Sequence, residues 1–129
     1  SVNRWEKKEE IEKALQSGTI IIMDRYYQAN LVYGLSHDLD LNWLINLDKG
    51  LPQENLVIIL EIDPETSYRR VSYNRDVFER NQDFLITVKQ NYRKLSEVYR
   101  WNIINGEENV EKIHNRIWNL VKTKLNILF

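Results

Sequence analysis

The spacing of apolar residues predicts several amphipathic helices. Trp5, Ile11, Ala14 and Leu15 fit one face of a helix over residues 3–17, and Gly18 follows as a candidate left-handed terminator. Two further helices are predicted where apolar residues recur every three or four positions. The first set is Phe84, Val88, Tyr92, Leu95 and Tyr99, and the second is Val110, Ile113, Ile117, Leu120 and Val121.

Three short apolar runs predict strands of a parallel sheet. They are rich in β-branched residues and lie at 19–23, 56–60 and, more weakly, 101–104. The segments between them are long enough for the helical crossovers that parallel neighbours need. A helix should run from Pro64 to about Val71. Asp63 can cap its N-terminus, Pro64 suits its first turn, and the negative charge of Glu65 is favourable near the positive end of a helix. We therefore expect one α/β domain over residues 1–129.

Composition narrows the classes of partner. The 129 residues are 43% apolar, enough for a core, and the 18 basic and 19 acidic residues leave a formal net charge of −1. No overall field favours nucleic acid or an anionic membrane, and no apolar stretch is long enough to span a bilayer. The chain has no Cys, which agrees with a reducing cytosol. We expect a soluble, cytoplasmic protein whose ligands are recognised by local sites.

Asp24 and Arg25 stand where a ligand site is expected. They follow the apolar run at 19–23, and open α/β sheets bind ligands beyond the carboxyl ends of their strands. A guanidinium can grip phosphate oxygens with two hydrogen bonds, and the neighbouring carboxylate can hold magnesium, directly or through its waters. The alternative is a plain surface salt bridge, which spacing alone favours.

Residues 68–80 place four arginines, at positions 69, 70, 75 and 80, among aromatic residues. Such a segment can close over phosphates, where arginine donors stabilise the charge of a transferring phosphoryl group. The alternative is a solvated helix end, because Asp76 and Glu79 partly cancel the basic charge. Without further context the second interpretation is favoured.

Taken together, five motifs resemble those of thymidylate kinase, in order and spacing. They are NRWE (3–6), MDRYYQANLVYG (23–34), GLP (50–52), LVIILEIDPE (56–65) and DVFE (76–79). The resemblance implies a three-layer α/β/α parallel sheet of the P-loop nucleoside monophosphate kinase type. It also implies transfer of the terminal phosphoryl group of ATP to dTMP, giving dTDP in dTTP biosynthesis, with Mg²⁺ bridging the phosphates, and a homodimer.

The resemblance also implies roles on the acceptor side. Arg25 matches the arginine that holds the dTMP phosphate, and Asp24 matches the acid beside it, near magnesium and the reacting phosphates. Arg4 matches a residue that donates a hydrogen bond to a thymine carbonyl. Asn30 matches a polar contact to the base, and Tyr33 a ring that crowds the 2′ side of the sugar. These residues together imply a preference for thymine and deoxyribose.

A lid over about residues 71–82 is implied as well. Phe78 and Glu79 match its aromatic and acidic positions, which face the nucleotide. The position of Val77 often holds arginine in relatives, so we expect Arg75 to supply the catalytic guanidinium from nearby. The lid would then contribute both substrate contacts and charge stabilisation.

On the ATP side, Arg70 matches a basic residue lying against the nucleotide, and Asn105 and Gly106 follow the last strand, where the family contacts adenine. The sequence nevertheless contains no GxxxxGK[ST] phosphate loop, and its only glycines are at positions 18, 34, 50 and 106. We therefore expect the chain to be the C-terminal part of a longer kinase, inactive without the phosphate-loop unit.

Two other interpretations stay open. A non-catalytic nucleotide-binding or interaction module derived from this fold would explain the missing phosphate loop. Against it, Asp24, Arg25 and the arginine-bearing lid are groups that simple thymidine binding does not require. A related monophosphate kinase with another base preference is the third interpretation, and Arg4 and Asn30 favour thymine instead.

Overall fold

The computed structural model of the chain describes residues 2–71 and 75–126, without the side chains at positions 2, 71, 77 and 78. The chain divides into two compact units, residues 1–54 and residues 55–129. Each unit is described by itself below. The expectation of a single domain over 1–129 stays a prediction.

The described residues form seven helices and two strands. In chain order these are α1 (Val2–Glu6), α2 (Lys8–Gln16), α3 (Tyr27–Ser36), α4 (Leu41–Leu47), β1 (Ile58–Glu61), α5 (Pro64–Val71), α6 (Arg75–Tyr99), β2 (Asn102–Asn105) and α7 (Val110–Leu125). The helix predicted over 3–17 is present as α1 and α2, interrupted at Lys7. Gly18, with φ +82°, follows α2 in the left-handed conformation expected of a terminator. The three later helices confirm their predictions.

In the first unit, α3 and α4 pack closely. Asp40 caps α4 by accepting a 2.8 Å hydrogen bond from the backbone N–H of Trp43. A Cβ added to Gly34 on α3 would lie 2.6 Å from Cδ2 of Leu44, so the small residue permits the contact between the helices. The buried apolar residues of this unit are Leu31, Val32, Leu44 and Leu51.

The strand predicted over residues 19–23 does not form. These residues have no regular secondary structure, and the side chains of Ile20 and Ile22 are 65% and 91% exposed. A strand exists only through hydrogen bonds to a neighbouring strand, and within the described chain this run has none. For the described chain the prediction from its β-branched residues was wrong, because the sequence pattern of one segment cannot supply a partner strand.

The second unit contains the parallel sheet. Strand β1 pairs with β2 in parallel, with Ile58 opposite Asn102 and Glu61 opposite Asn105. The two later strand predictions are thus confirmed to within one or two residues at each end. The sheet of the described chain has two strands. Their parallel pairing agrees with the predicted three-layer α/β/α architecture, but the described residues do not form the full sheet of that architecture.

Charged side chains join β1 to α6. The guanidinium of Arg93 donates two 2.6 Å hydrogen bonds to the carboxylate of Glu61, the last residue of β1. Lys89 Nζ donates at 2.6 Å to Asp63, just before α5. The carboxyl end of β1 is therefore held to a helix by two ion pairs. Among the described residues, the buried apolar side chains of this unit are Val88, Leu95, Trp101 and Ile104.

Candidate functional site

Asp24 and Arg25 form a bend between residues 19–23 and α3. Arg25 has φ +63°, in the left-handed region that costs a residue with a Cβ about 1–2 kcal/mol. Both side chains are exposed, and within the described chain neither takes part in a hydrogen bond or ion pair. The alternative of a surface salt bridge is thus not formed here. A strained backbone that presents an uncommitted acid and base is typical of functional sites.

Arg4, on α1, is engaged by an acid that sequence reasoning missed. Its Nε and Nη2 atoms donate to Oδ1 of Asp48 at 3.1 and 2.9 Å, and Nη2 donates to Oδ2 at 3.0 Å. The side chain of Asp48 is 4% exposed and that of Arg4 is 18% exposed. Arg4 is therefore held in a bidentate ion pair, and its contact with a nucleobase stays a prediction.

The start of α3 lies near this ion pair. Tyr26, the residue after Arg25, donates a 3.4 Å hydrogen bond to the backbone carbonyl of Pro52. Burial raises the pKa of the Tyr26 hydroxyl, while the positive charge of Arg4 lowers it and the negative charge of Asp48 raises it. Tyr26 contacts Pro52, and Arg4 contacts Asp48 four positions earlier, so the Arg25 segment and Arg4 both contact residues 48–52.

Asn30 and Tyr33 lie on the more accessible side of α3. The buried residues of this helix are Gln28, Leu31, Val32 and Gly34, whereas Asn30 is half-buried and Tyr33 is 37% exposed. Residues three apart on a helix are neighbours. Asn30 and Tyr33 therefore share one face of α3, while their contacts with base and sugar stay predictions.

In the second unit the structure brings together the three residues predicted for the ATP side. Arg70 Nη1 on α5 donates at 3.4 Å to the carbonyl of Gly106, and Oδ1 of Asn105 accepts at 2.9 Å from the backbone N–H of Glu107. A Cβ on Gly106 would lie 2.8 Å from Cγ1 of Ile62. The turn after β2 is therefore closely packed, and its role in adenine binding stays a prediction.

The lid residues are only partly described. Residues 72–74 and the side chain of Phe78 lie outside the described part. Arg75 Nη1 donates to Glu65 and Arg75 Nε donates to Glu79, each at 3.3 Å. Hydrogen bonds from Arg69 and then from Arg75 lower the pKa of Glu65. In this arrangement Arg75 is ion-paired with exposed acids, so its predicted catalytic role requires these pairs to open.

The described residues contain no cluster of three or more His, Cys, Asp or Glu side chains placed to hold a metal ion. Magnesium in phosphoryl-transfer sites needs only one or two carboxylates besides substrate phosphates and water. The exposed carboxylate of Asp24 is compatible with that kind of site. Among the described helices, none has the length and apolar character needed to cross a bilayer.

Asp48 and Tyr26 are the site residues that the sequence analysis did not identify. Asp48 directly precedes the stretch Lys49-Gly50-Leu51-Pro52, which contains the GLP motif. An acid at the end of a helix has many ordinary explanations. Its pairing with an arginine 44 positions earlier had no local signal.

Comparisons with known proteins agree on one family. A family profile described as thymidylate kinase matches residues 1–117. The thymidylate kinase of Dictyostelium discoideum is 32% identical over 117 residues, which are 91% of this chain and 52% of that protein. Probable thymidylate kinases of Thermococcus gammatolerans and Pyrococcus horikoshii are 33% and 35% identical over 118 and 121 residues. Those alignments cover 89% and 92% of this chain, and 57% and 59% of the relatives. The chain thus spans somewhat over half the length of the curated relatives it matches.

Proposed function

Because the chain belongs to the thymidylate kinase family, we propose that it carries the acceptor-nucleotide side of an enzyme that transfers the terminal phosphoryl group of ATP to dTMP. The observation that carries this proposal is the bend at Asp24 and Arg25. There an arginine in a left-handed conformation presents a guanidinium that no acid of the described chain neutralises. A free guanidinium is suited to a phosphate monoester, which it can bind with two charge-assisted hydrogen bonds.

The acceptor nucleotide would be held at both ends. Arg25 binds the phosphate of dTMP, Arg4 and Asn30 contact the base, and Tyr33 crowds the 2′ side of the sugar. Phosphoryl transfer needs little covalent assistance from the protein, so orientation of the acceptor and stabilisation of charge supply most of the catalysis. This explains why no Cys or Ser–His nucleophile is required.

Asp24 would act beside the reacting phosphates. It orients the acceptor and holds Mg²⁺ directly or through coordinated water, and the metal neutralises charge on the phosphates when it is bound. Its exposed carboxylate supports this role because no basic side chain of the described residues already occupies it.

The second unit would serve the donor nucleotide and the lid. Arg70, Asn105 and Gly106 form the ATP side, and their proximity to one another supports a shared role. Glu79, Phe78 and Arg75 belong to the lid. Arg75 leaves Glu65 and Glu79 when the lid closes, because surface ion pairs of this kind are worth at most about 1 kcal/mol and exchange easily for a phosphate.

Activity would require a phosphate loop, which none of the 129 residues provides. We propose that a segment carrying this loop also brings a strand that pairs with residues 19–23. Their exposed apolar side chains support that proposal. The three-layer sheet and the homodimer implied by the family would be completed in that full enzyme.

A second candidate is a non-catalytic nucleotide-binding module. The absence of GxxxxGK[ST] from the sequence favours it. A module that keeps only the nucleoside pocket has no need to recognise the phosphate, so it would bind thymidine and dTMP with similar affinity. The kinase proposal requires clearly tighter binding of dTMP.

The deciding experiment is an assay of ATP-dependent phosphorylation of dTMP, dUMP and dGMP. It is run with the 129-residue chain alone and with the chain joined to a phosphate-loop segment from a relative. We expect activity only in the joined protein, with dTMP preferred. No activity in either form would overturn the kinase proposal. Preference for dGMP would overturn the assignment of the base.

A further inference from the structure

Asp48 is the most deeply buried acid among the described residues, at 8% exposure, and all its described side-chain hydrogen bonds come from Arg4. Burying a carboxylate is costly unless a cation and hydrogen bonds compensate for the lost water. Arg4 provides three hydrogen bonds of 2.9–3.1 Å from one edge of its guanidinium. The orientation of this guanidinium is therefore strongly determined.

The pairing leaves part of Arg4 available. An arginine side chain has five N–H donors in one plane, and those on Nε and Nη2 face Asp48. Within the described residues no hydrogen bond uses Nη1. With one edge of the plane fixed, the two N–H groups on Nη1 point in set directions, where they can serve an acceptor such as a carbonyl oxygen.

The backbone around the pair is anchored independently. Trp5 Nε1 donates at 3.0 Å to the carbonyl of Leu47, the last residue of α4, and the Trp5 ring lies against Gly50. Helix α1 is thus attached to the end of α4 even without Asp48. What Asp48 adds is control over the direction of one side chain.

We infer that Asp48 is a positioning residue for nucleobase recognition: it orients the guanidinium of Arg4 so that Nη1 donates to a carbonyl of the bound pyrimidine. This inference rests on the proposed function, because it assumes that Arg4 contacts the base. Asp48 does not touch the nucleotide. Its effect on binding passes entirely through Arg4, and this separates it from an acid that only stabilises the fold.

The test is a double-mutant cycle on dTMP affinity, measured by calorimetry with the 129-residue chain. Asp48→Asn removes the charge and keeps the volume, and Arg4→Ala removes the proposed base contact. We expect each single variant to weaken dTMP binding about tenfold. The double variant should be no weaker than Arg4→Ala, because Asp48 has nothing left to orient.

Two further measurements separate positioning from folding. Asp48→Glu keeps the charge and should restore part of the affinity lost in Asp48→Asn. In NMR spectra with ¹⁵N-labelled arginine, the Nε–H signal of Arg4 should be protected from solvent exchange in the native chain and in Asp48→Glu, but not in Asp48→Asn. Asp40→Ala is the matched control, since it removes the acid that caps the other end of α4. It should lower stability by about 1 kcal/mol and leave dTMP affinity unchanged.

The outcomes distinguish the two proposals. A native chain that does not bind dTMP contradicts the proposed function itself. If the native chain binds dTMP, the positioning inference is overturned by an unchanged affinity in Asp48→Asn, by additive losses in the double variant, or by an affinity loss in Asp40→Ala as large as that in Asp48→Asn. If Asp48→Asn fails to fold, the same criteria apply to Asp48→Glu, for which a smaller loss that disappears in the Arg4→Ala background is expected.

Discussion

Residues 19–23 and strand β1 are similar in sequence and different in structure. Both are short apolar runs rich in isoleucine, and both lead directly into charged residues. Strand β1 pairs with β2, whereas residues 19–23 have no strand partner in the described chain. An apolar run is therefore not sufficient to form a strand, because the ladder of hydrogen bonds requires a second segment.

The charged residues that follow the two runs differ in the same way. At the end of β1, Glu61 is bound by Arg93 and Asp63 by Lys89. After residues 19–23, Asp24 and Arg25 are exposed, and the described structure gives them no ionic partner. Glu61 and Asp63 are thus engaged within the fold, whereas Asp24 and Arg25 are the residues proposed to contact a ligand. Polar groups at strand ends become informative about function only when their partners are known.

The largest expected effect concerns β2, the partner strand that β1 has and residues 19–23 lack. Ile104, on the strand paired with β1, is 6% exposed, so Ile104→Ala should lower the free energy of unfolding by about 2–5 kcal/mol. Ile22 is 91% exposed, and Ile22→Ala should change it by no more than about 0.5 kcal/mol. Urea unfolding followed by circular dichroism measures both. Similar losses at the two positions would show that residues 19–23 are buried in solution.

The next effect concerns ligand binding at Arg25. Arg25→Ala should weaken dTMP binding about 10- to 100-fold, because charge-assisted hydrogen bonds to the phosphate are lost. Binding of thymidine, which has no phosphate, should not change. Arg93→Ala is the matched control at the end of β1. It should lower stability and leave the ratio of dTMP affinity to thymidine affinity unchanged. An equal drop in that ratio for both variants would contradict the specific role of Arg25 in phosphate binding.

A smaller effect is expected on the stability of the bend. Arg25→Gly should raise the free energy of unfolding by about 1 kcal/mol, because glycine adopts positive φ without the Cβ penalty. The same variant should lose phosphate-dependent binding. Asp38, with φ +61°, offers a control: Asp38→Gly should be stabilising without affecting dTMP. Thermal denaturation measures both, and destabilisation by Arg25→Gly would show that the side chain supports the fold.

The smallest effect is the pH dependence of the β1 end. Hydrogen bonds from Arg93 lower the pKa of Glu61 below its ordinary value of 4.5. The stability contributed by this lowered pKa is fully present above about pH 4.5 and is lost as the pH falls through the folded-state pKa. Glu61→Gln should therefore flatten the decrease in stability below pH 4.5, as seen in unfolding curves at several pH values. An undiminished decrease in Glu61→Gln would contradict this prediction.

The sequence predicted α5, α6, α7 and the region of α1 and α2, because the signals of these helices act over a few residues. Periodic apolar positions identified α6 and α7, and the Asp63-Pro64-Glu65 sequence located the start of α5. The Asp24-Arg25 position was also visible, since it follows an apolar run and belongs to a recognisable motif. The absence of a strand at residues 19–23 could not be predicted, because their sequence resembles that of β1.

What the sequence determined by itself is the position of the periodic helices, their apolar faces and the types of side chain available for chemistry. Tertiary structure decided which charged side chains are committed to the fold. Arg4 pairs with Asp48 across 44 positions, and Glu61 with Arg93 across 32. The physical reason is range: capping and periodicity act between residues within a few positions, whereas an ion pair between residues far apart in sequence depends on packing that brings distant segments together.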